Sequence, residues 1–392
     1  MRHVLFVDDE PAVLDGLRKA LRSHRHEWTV ETANSGAEGL ARLELGGIDA
    51  VLSDLSMPAM NGEVFLGMVR ERWPEVVRVV LSGHVEAAVA RRLVQIVHQF
   101  LPKPFEVQQL FALVEEALVS RDLLESPALR RLVGKLGDLP ALPQTFSALL
   151  AEMREPNPSF QRIARIVGAD PSIAANVLRL VNSAWFGLSR KVPSIEEAVR
   201  LIGLKPIELL VLSAEVYGSA AAGALGAQLQ FVALERARTV RRLLEKAGLT
   251  QFSAAAQTAA VLSDVGLVVL ATRDPDTFAR VTEEKTRAAC AWDLAERRVL
   301  GTHHGVLGGA LLGFWSLPTE VRQAVTRHHG PWTEVPAVSP ASALGLVVVL
   351  EELEPGGAPD ARLDAELEVL SKAYPGLDLA PFLKSKQHEE AA

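Results

Sequence analysis

The chain has one cysteine, Cys290, among 392 residues, so it can form no intramolecular disulfide. That leaves the redox reading neutral and compatible with the cytosol. Long apolar runs are also missing. No uninterrupted stretch approaches the ~18 residues of a membrane-crossing helix, and Ala341 to Leu350 reads as buried helix or strand. The opening MRHVLFVDDE reaches acidic residues too soon for a signal peptide. The location expected from these features is cytoplasmic, with no membrane partner. Positive charge is in deficit as well: 41 Lys and Arg face 48 Asp and Glu, for a net charge of −7 and a pI near 5.9. Neutralising nucleic-acid phosphates takes clustered cations, and no basic recognition helix is visible, so no DNA partner is expected. Tandem repeats are absent and low-complexity sequence is scarce.

The composition is that of a globular protein, with 23% charged residues. The length suits two or three domains. Through residue ~120, short apolar runs alternate with helical patterns. The runs are His3–Val7, Trp28–Thr32, Ala50–Ser53, Val76–Leu81 and Gln99–Leu101. The helical stretches are Ala12–Ser23, Gly36–Leu45, Glu63–Arg72, Val85–Val97 and Val107–Ser120. This alternation predicts a doubly wound α/β domain with a five-stranded parallel sheet. The rest of the chain predicts successive helices: Phe146–Met153, Gln161–Gly168, Ile173–Val181, Ile195–Ile202, Pro206–Val216, Phe231–Lys246 and Ala254–Leu262. Asp170-Pro171-Ser172, and Ser194 followed by Glu197, mark helix starts. Ala220–Ala227 reads as a loop or loosely packed helix, Gly356–Pro359 as a loop and Lys384–Ala392 as a frayed tail.

Chemistry-bearing residues of the first domain follow its apolar runs. Asp8 and Asp9 follow the first, Asp54 the third, Ser82 the fourth and Lys103 the fifth. A parallel sheet delivers all its strand C-termini to one edge, where these residues would converge. Clustered carboxylates repel unless a cation joins them, and Mg²⁺ prefers such oxygen ligands. Asp54 could then attack a phosphoryl donor as a carboxylate nucleophile, with Lys103 offsetting charge on the transferring group.

Asp8-Asp9, Asp54 with Met57-Pro58 and Gly62, Leu81-Ser82-Gly83 and Lys103-Pro104 together resemble the receiver domain of response regulators, a CheY-like, flavodoxin-like fold, over residues 1–120. The resemblance implies that Asp54 is the phosphoacceptor. It makes Asp9 and Asp54 direct Mg²⁺ ligands, with Asp8 on metal-bound water and the Ser56 carbonyl completing the set. Phe100 matches the switch aromatic, which would turn inward as Ser82 engages the phosphoryl group and the face around Val85–Phe105 changes its contacts. A sensor histidine kinase or phosphotransfer protein is the implied partner.

The helical part opens with Leu139-Pro140-Ala141-Leu142-Pro143. Asn182-Ser183-Ala184-Trp185-Phe186-Gly187, Leu262-Ser263-Asp264-Val265-Gly266, His304, Trp315 with Leu317-Pro318, and His328-His329 follow. This order resembles the HDOD domain, an all-α relative of the HD phosphohydrolases. The domains implied are a receiver at 1–120, a linker helix at 121–138, the HDOD domain at 139–332 and a C-terminal helical extension with tail at 333–392. HD hydrolases hold a metal with an early helical His, a His-Asp pair and a further Asp, and the metal activates water. Here Ser263 precedes Asp264, and no histidine occurs between His98 and His303. The early helix offers Arg236 and Arg238, and a guanidinium is no metal ligand. The standard site is therefore broken. Asp264, Glu296, His304, His328 and His329 remain, expected as a buried polar network, although three histidines and an acid could still bind one Zn or Fe ion.

Trp185, Trp292, Trp315 and Trp332 read as core or interface, Cys290 as buried and inert, and Arg190-Lys191 as a solvated spot. The expectation is a two-component response regulator whose HDOD domain signals through contacts, with an unidentified protein partner, no metal of its own and a homodimer left open. The alternative is a phosphorylation-regulated, HD-type metal-dependent phosphodiesterase, for example of cyclic dinucleotides.

Overall fold

The protein is described by a computed structural model covering residues 1–83, 93, 96–124, 126, 129–130, 144–169, 171–181, 192–217, 223–315, 317–330, 338–352, 361–375 and 377–379. Several expectations fall outside these residues: most of the helix Val85–Val97, the end of the linker, Leu139–Pro143, Asp170, Asn182–Gly187, Arg190-Lys191, Trp332, Gly356–Pro359 and the tail from Lys384. Two compact units are present, residues 1–141 with 310–317, and residues 142–309 with 318–392.

In the N-terminal region, β1 (Arg2–Val7), β2 (Trp28–Ala33), β3 (Ala50–Asp54), β4 (Val77–Ser82) and β5 (Gln99–Pro102) form a parallel sheet of order β2-β1-β3-β4-β5. This is the predicted doubly wound fold. The central strands β1, β3 and β4 are largely apolar along both faces because both are covered. Leu5, Val7, Val51 and Val80 join one core with Phe65, Leu66 and Val69. The alternate residues Val4, Phe6, Leu52 and Val79 are equally buried.

The helices described here are α1 (Pro11–Ala20), α2 (Gly36–Glu44), α3 (Gly62–Arg72) and α4 (Val107–Asp122). Ser35 and Asn61 cap α2 and α3 by accepting from the N–H groups of Glu38 and Val64. The first helix is shorter than predicted. Leu21–His24 tightens into a 3-10 turn, a common ending for an α-helix.

The C-terminal region is helical. In order come α5 (Gln144–Met153), α6 (Phe160–Gly168), α7 (Pro171–Val181), α8 (Ile195–Ile202), α9 (Leu204–Tyr217), α10 (Gly223–Lys246), α11 (Ser253–Leu262) and α12 (Val265–Arg273). They are followed by α13 (Pro275–Ala288), α14 (Trp292–Leu300), α15 (His304–Phe314), α16 (Thr319–Arg327), α17 (Pro340–Glu352) and α18 (Ala361–Ser371). Ser194 caps α8, accepting from the Glu197 N–H at 3.3 Å. The stretch Ala341–Leu350 is helix. The helix predicted from Phe231 begins at Gly223, so part of the Ala/Gly-rich stretch is helical. Gly226, Leu229 and Gln230 are buried there, and tertiary packing overrides the low helix propensity of glycine.

Thr250–Arg273 is long and apolar enough to cross a membrane by length and composition, although no uninterrupted apolar run was expected. It is 89% buried inside the protein and breaks at Ser263-Asp264 between α11 and α12. It serves as a core element, and the break places two polar groups in the middle of that core.

Candidate functional site

Parallel pairing builds the first site. Asp54 ends β3 opposite Leu81 of β4, and Ser82 ends β4 opposite Pro102. The Lys103 N–H donates to the Ser82 carbonyl at 2.6 Å, which fixes the lysine at the same sheet edge. Lys103 Nζ then reaches Asp8 Oδ2 at 3.0 Å and Asp54 Oδ1 at 2.5 Å. Burial works against the charge on Lys103, but its hydrogen bonds to Asp54 and Asp8 outweigh that and raise its pKa. The remaining oxygens are also oriented: Asp8 Oδ1 accepts from the Glu10 N–H, and Asp54 Oδ2 from the Ser56 N–H.

Asp9 is partly exposed and makes no hydrogen bond or ion pair among the described residues. Ser82 is buried. Phe100 lies opposite Val80 and packs, half-buried, against the core. Asp8, Asp54 and Lys103 are thus brought into contact, Ser82 stands on the neighbouring strand end, and Asp9 and Ser56 flank them in sequence. Gly62 is needed here, because a Cβ on it would lie 2.1 Å from the Asp54 carbonyl oxygen.

The second site surrounds the break between α11 and α12. Asp264 is buried, and its Oδ2 accepts from Arg236 Nη1 of α10 at 2.6 Å. The same Nη1 donates to Ser263 Oγ at 2.9 Å, while Arg236 Nε donates to Glu351 Oε2 of α17 at 2.7 Å. Asp264 Oδ1 faces His304 Nε2 at 3.2 Å. Glu296 Oε2 of α14 accepts from both the backbone N–H and Nδ1 of His304, at 2.8 and 2.7 Å. His328 Nε2 and His329 Nε2 approach His304 Nε2 at 3.2 and 3.1 Å. All five sequence-named residues therefore meet, with Glu296 gripping the far side of the His304 ring.

These contacts fix the charges. Burial opposes ionisation of Asp264, but Arg236 and then His304 outweigh it and hold the carboxyl well below the usual range. Burial likewise opposes charge on His304, yet Glu296 and Asp264 hold it up to about 10. Burial and the neighbouring His304 push His328 down to about 3.

Sequence reading missed Glu351 and His303. Glu351 follows the apolar run of α17 and lies 115 residues from Arg236, so no local pattern marks it. His303 is buried, and its Nδ1 accepts from the Gly305 N–H at 3.2 Å. Arg236 enters the cluster, whereas Arg238 lines a cavity of about 440 Å³ together with Ile202, Leu209 and Arg241. Gly266 lets α12 touch the start of α15, since a Cβ there would lie 2.1 Å from the His304 carbonyl oxygen. Gly266→Ala should cost about 1–3 kcal/mol by overpacking. Lower urea resistance of the helical region, with the N-terminal transition unchanged, checks this.

Comparison with known proteins agrees with both halves. The response regulator receiver domain model matches residues 4–115, and the HDOD domain model matches residues 139–331. Sensor kinase CckA of Brucella abortus (strain 2308) is 43% identical over 122 residues, which is 30% of this chain and 13% of that protein. Hydrogenase transcriptional regulatory protein HoxA of Cupriavidus necator is 34% identical over 183 residues, 45% of this chain and 37% of that protein. The chain thus spans less than two fifths of either relative. A solved HDOD domain protein of unknown function from Geobacter sulfurreducens shares the fold at 19% identity, with a TM-score of 0.53 over 71% of this chain and 95% of its own. Residues 4–115 are accordingly a response regulator receiver domain and residues 139–331 an HDOD domain, so the chain joins a receiver to an HDOD domain.

Proposed function

We propose that the chain is a two-component response regulator in which phosphorylation of Asp54 controls contacts made by a non-catalytic HDOD domain. The observation that carries the reading is Lys103 Nζ bridging Asp8 and Asp54 at the C-terminal sheet edge. An Asp54 oxygen attacks phosphorus, the new P–O bond forms, and the donor leaves with the electron pair of the bond it loses. Lys103 stands where charge develops on the phosphoryl oxygens, and Ser82 can donate its hydroxyl to the adduct. The donor set fits a hard divalent cation: Asp9 has no protein partner among the described residues, next to Asp8 and Asp54. Asp9, Asp54 and the Ser56 carbonyl would hold Mg²⁺, with Asp8 behind it. When bound, it supplies neutralising charge to the acids and the phosphoryl group.

The Arg236 guanidinium on Ser263 and Asp264 supports the non-catalytic reading, because a cation sits where a hydrolytic ligand set needs a donor. Partners under this reading are a sensor histidine kinase or phosphotransfer protein and a protein recognised by the HDOD domain. A homodimer is compatible with it.

The test is phosphorylation of the full chain by acetyl phosphate with Mg²⁺, read by intact mass. Wild type should gain one phosphoryl group, Asp54→Asn none, and EDTA should block the gain. Equal labelling of Asp54→Asn, or an unmodified wild type, overturns the reading.

A further inference from the structure

Three imidazoles in the HDOD domain bring their Nε2 atoms toward one point. A carboxylate only accepts, so the 2.7 Å contact to Glu296 Oε2 places a hydrogen on His304 Nδ1. A carbonyl also only accepts, so the 2.6 Å contact to the Val325 oxygen places one on His328 Nδ1. In the neutral rings both Nε2 atoms then carry lone pairs, 3.2 Å apart. His329 Nε2, 3.1 Å from His304 Nε2, and Asp264 Oδ1, at 3.2 Å, complete the group. Such acceptors repel one another unless a cation lies among them. A single proton on His304 Nε2 would offer one hydrogen to three acceptors.

A metal ion satisfies all four donors at once. Nitrogens about 2.1 Å from a tetrahedral ion stand about 3.4 Å apart, close to the separations seen. The surroundings have the form metal-binding histidines take, with the remote N–H of His304 held by a carboxylate and that of His328 by a backbone carbonyl. Gly305 makes the close approach of the rings feasible, because a Cβ there would meet His303 Cε1 and His328 Cε1 at 2.9 Å.

We propose that His304, His328, His329 and Asp264 hold one divalent first-row transition ion, zinc by ligand type and coordination number, as a closed structural site of the HDOD domain. Four protein ligands leave no position for an activated water, and Arg236 occupies the other oxygen of Asp264. The ion therefore ties the break between α11 and α12 to the starts and ends of α15 and α16 without making the domain a hydrolase. The inference does not depend on whether Asp54 is phosphorylated.

The experiment uses the full chain purified without a histidine tag. Elemental analysis after dialysis should find one zinc per chain. Chelator-stripped protein reloaded with Co²⁺ should show the intense visible bands of four-coordinate cobalt, and zinc should raise the HDOD melting temperature by several degrees. His329→Gln, altering a partly exposed ligand, should lose the bands and the thermal gain. Glu296→Gln keeps every ligand and should weaken zinc affinity about 10–100-fold. A wild-type chain that retains no Zn, Fe or Co and gains no thermal stability from any of them overturns the site. So does unchanged zinc affinity in both variants, which would place the ion elsewhere.

Discussion

Arg236→Met should cost the HDOD domain about 3–5 kcal/mol, the usual penalty for removing one partner of a buried ion pair. The side chain keeps similar length and apolar bulk, so the loss isolates the guanidinium. Without it Asp264 keeps a buried negative charge and no cation on Oδ2, Ser263 Oγ loses its donor, and Glu351 loses the Nε contact. Burial alone would suppress ionisation of Asp264, and Arg236 is the leading influence that reverses it. Arg236→Lys should fall between, because an ammonium cannot serve Asp264 and Glu351 from a planar fork. Adding Asp264→Asn to Arg236→Met should recover part of the loss, since the unpaired charge is the main cost. Urea unfolding followed by hydrogen exchange in peptides from each domain reads the effect separately. An HDOD midpoint that does not move in Arg236→Met would mean that the acids reach solvent, contrary to their burial.

The same residue shows what sequence makes visible. The strands of the receiver were legible because buried parallel strands are written as short apolar runs, and the candidate site because these runs end on or are followed at once by a charged residue: Asp8-Asp9 after β1, Asp54 at the end of β3, Lys103 after β5. Topology does the rest, since a parallel sheet places those ends on one edge. In the HDOD domain the residues were equally visible, but their relations were not. That the early helix offers Arg236 and Arg238 rather than a histidine could be read from the absence of histidine between His98 and His303. The engagement of Arg236 with Glu351 could not, because helix periodicity reports neighbours three and four residues away and says nothing about which distant helix supplies a carboxylate. Glu296 stood among candidate ligands in the sequence, whereas the structure gives it the remote nitrogen of His304. That distinction depends on ring orientation, which no pattern of residue types encodes.

Ring orientation also decides how the domain responds to acid. In chelator-stripped protein the central position falls to a proton. His304, held up to about 10 in the fold against 6.5 as its ordinary value, contributes stability that is fully present below ~6.5 and fades as pH rises toward 10. His303 and His328 behave oppositely. Burial, then the charge on His304, depresses both, His328 to about 3, so they fold neutral and protonate on unfolding. Their contribution is present above ~6.5 and is lost as pH falls below it, each at about 1.4 kcal/mol per pH unit. With His303 and His328 both buried, the acid limb should approach about 3 kcal/mol per unit, against about half that on the alkaline limb. Burial, then the neighbouring histidines, also hold His329 well below its ordinary value, so it acts in the same direction. Asp264, depressed well below the carboxylate range, begins to count only under pH ~4, where it steepens the acid loss. Stability of the stripped HDOD domain should therefore peak near neutrality and fall faster toward acid. Urea midpoints measured from pH 5 to 9 test this, with peptides from α11 and α12 as the probe. A midpoint flat between pH 5 and 7 would show that the cluster takes up protons without unfolding, and would remove the histidines from the account of stability. Zinc should flatten the alkaline limb, because an ion that replaces the proton on His304 makes that limb independent of the His304 titration.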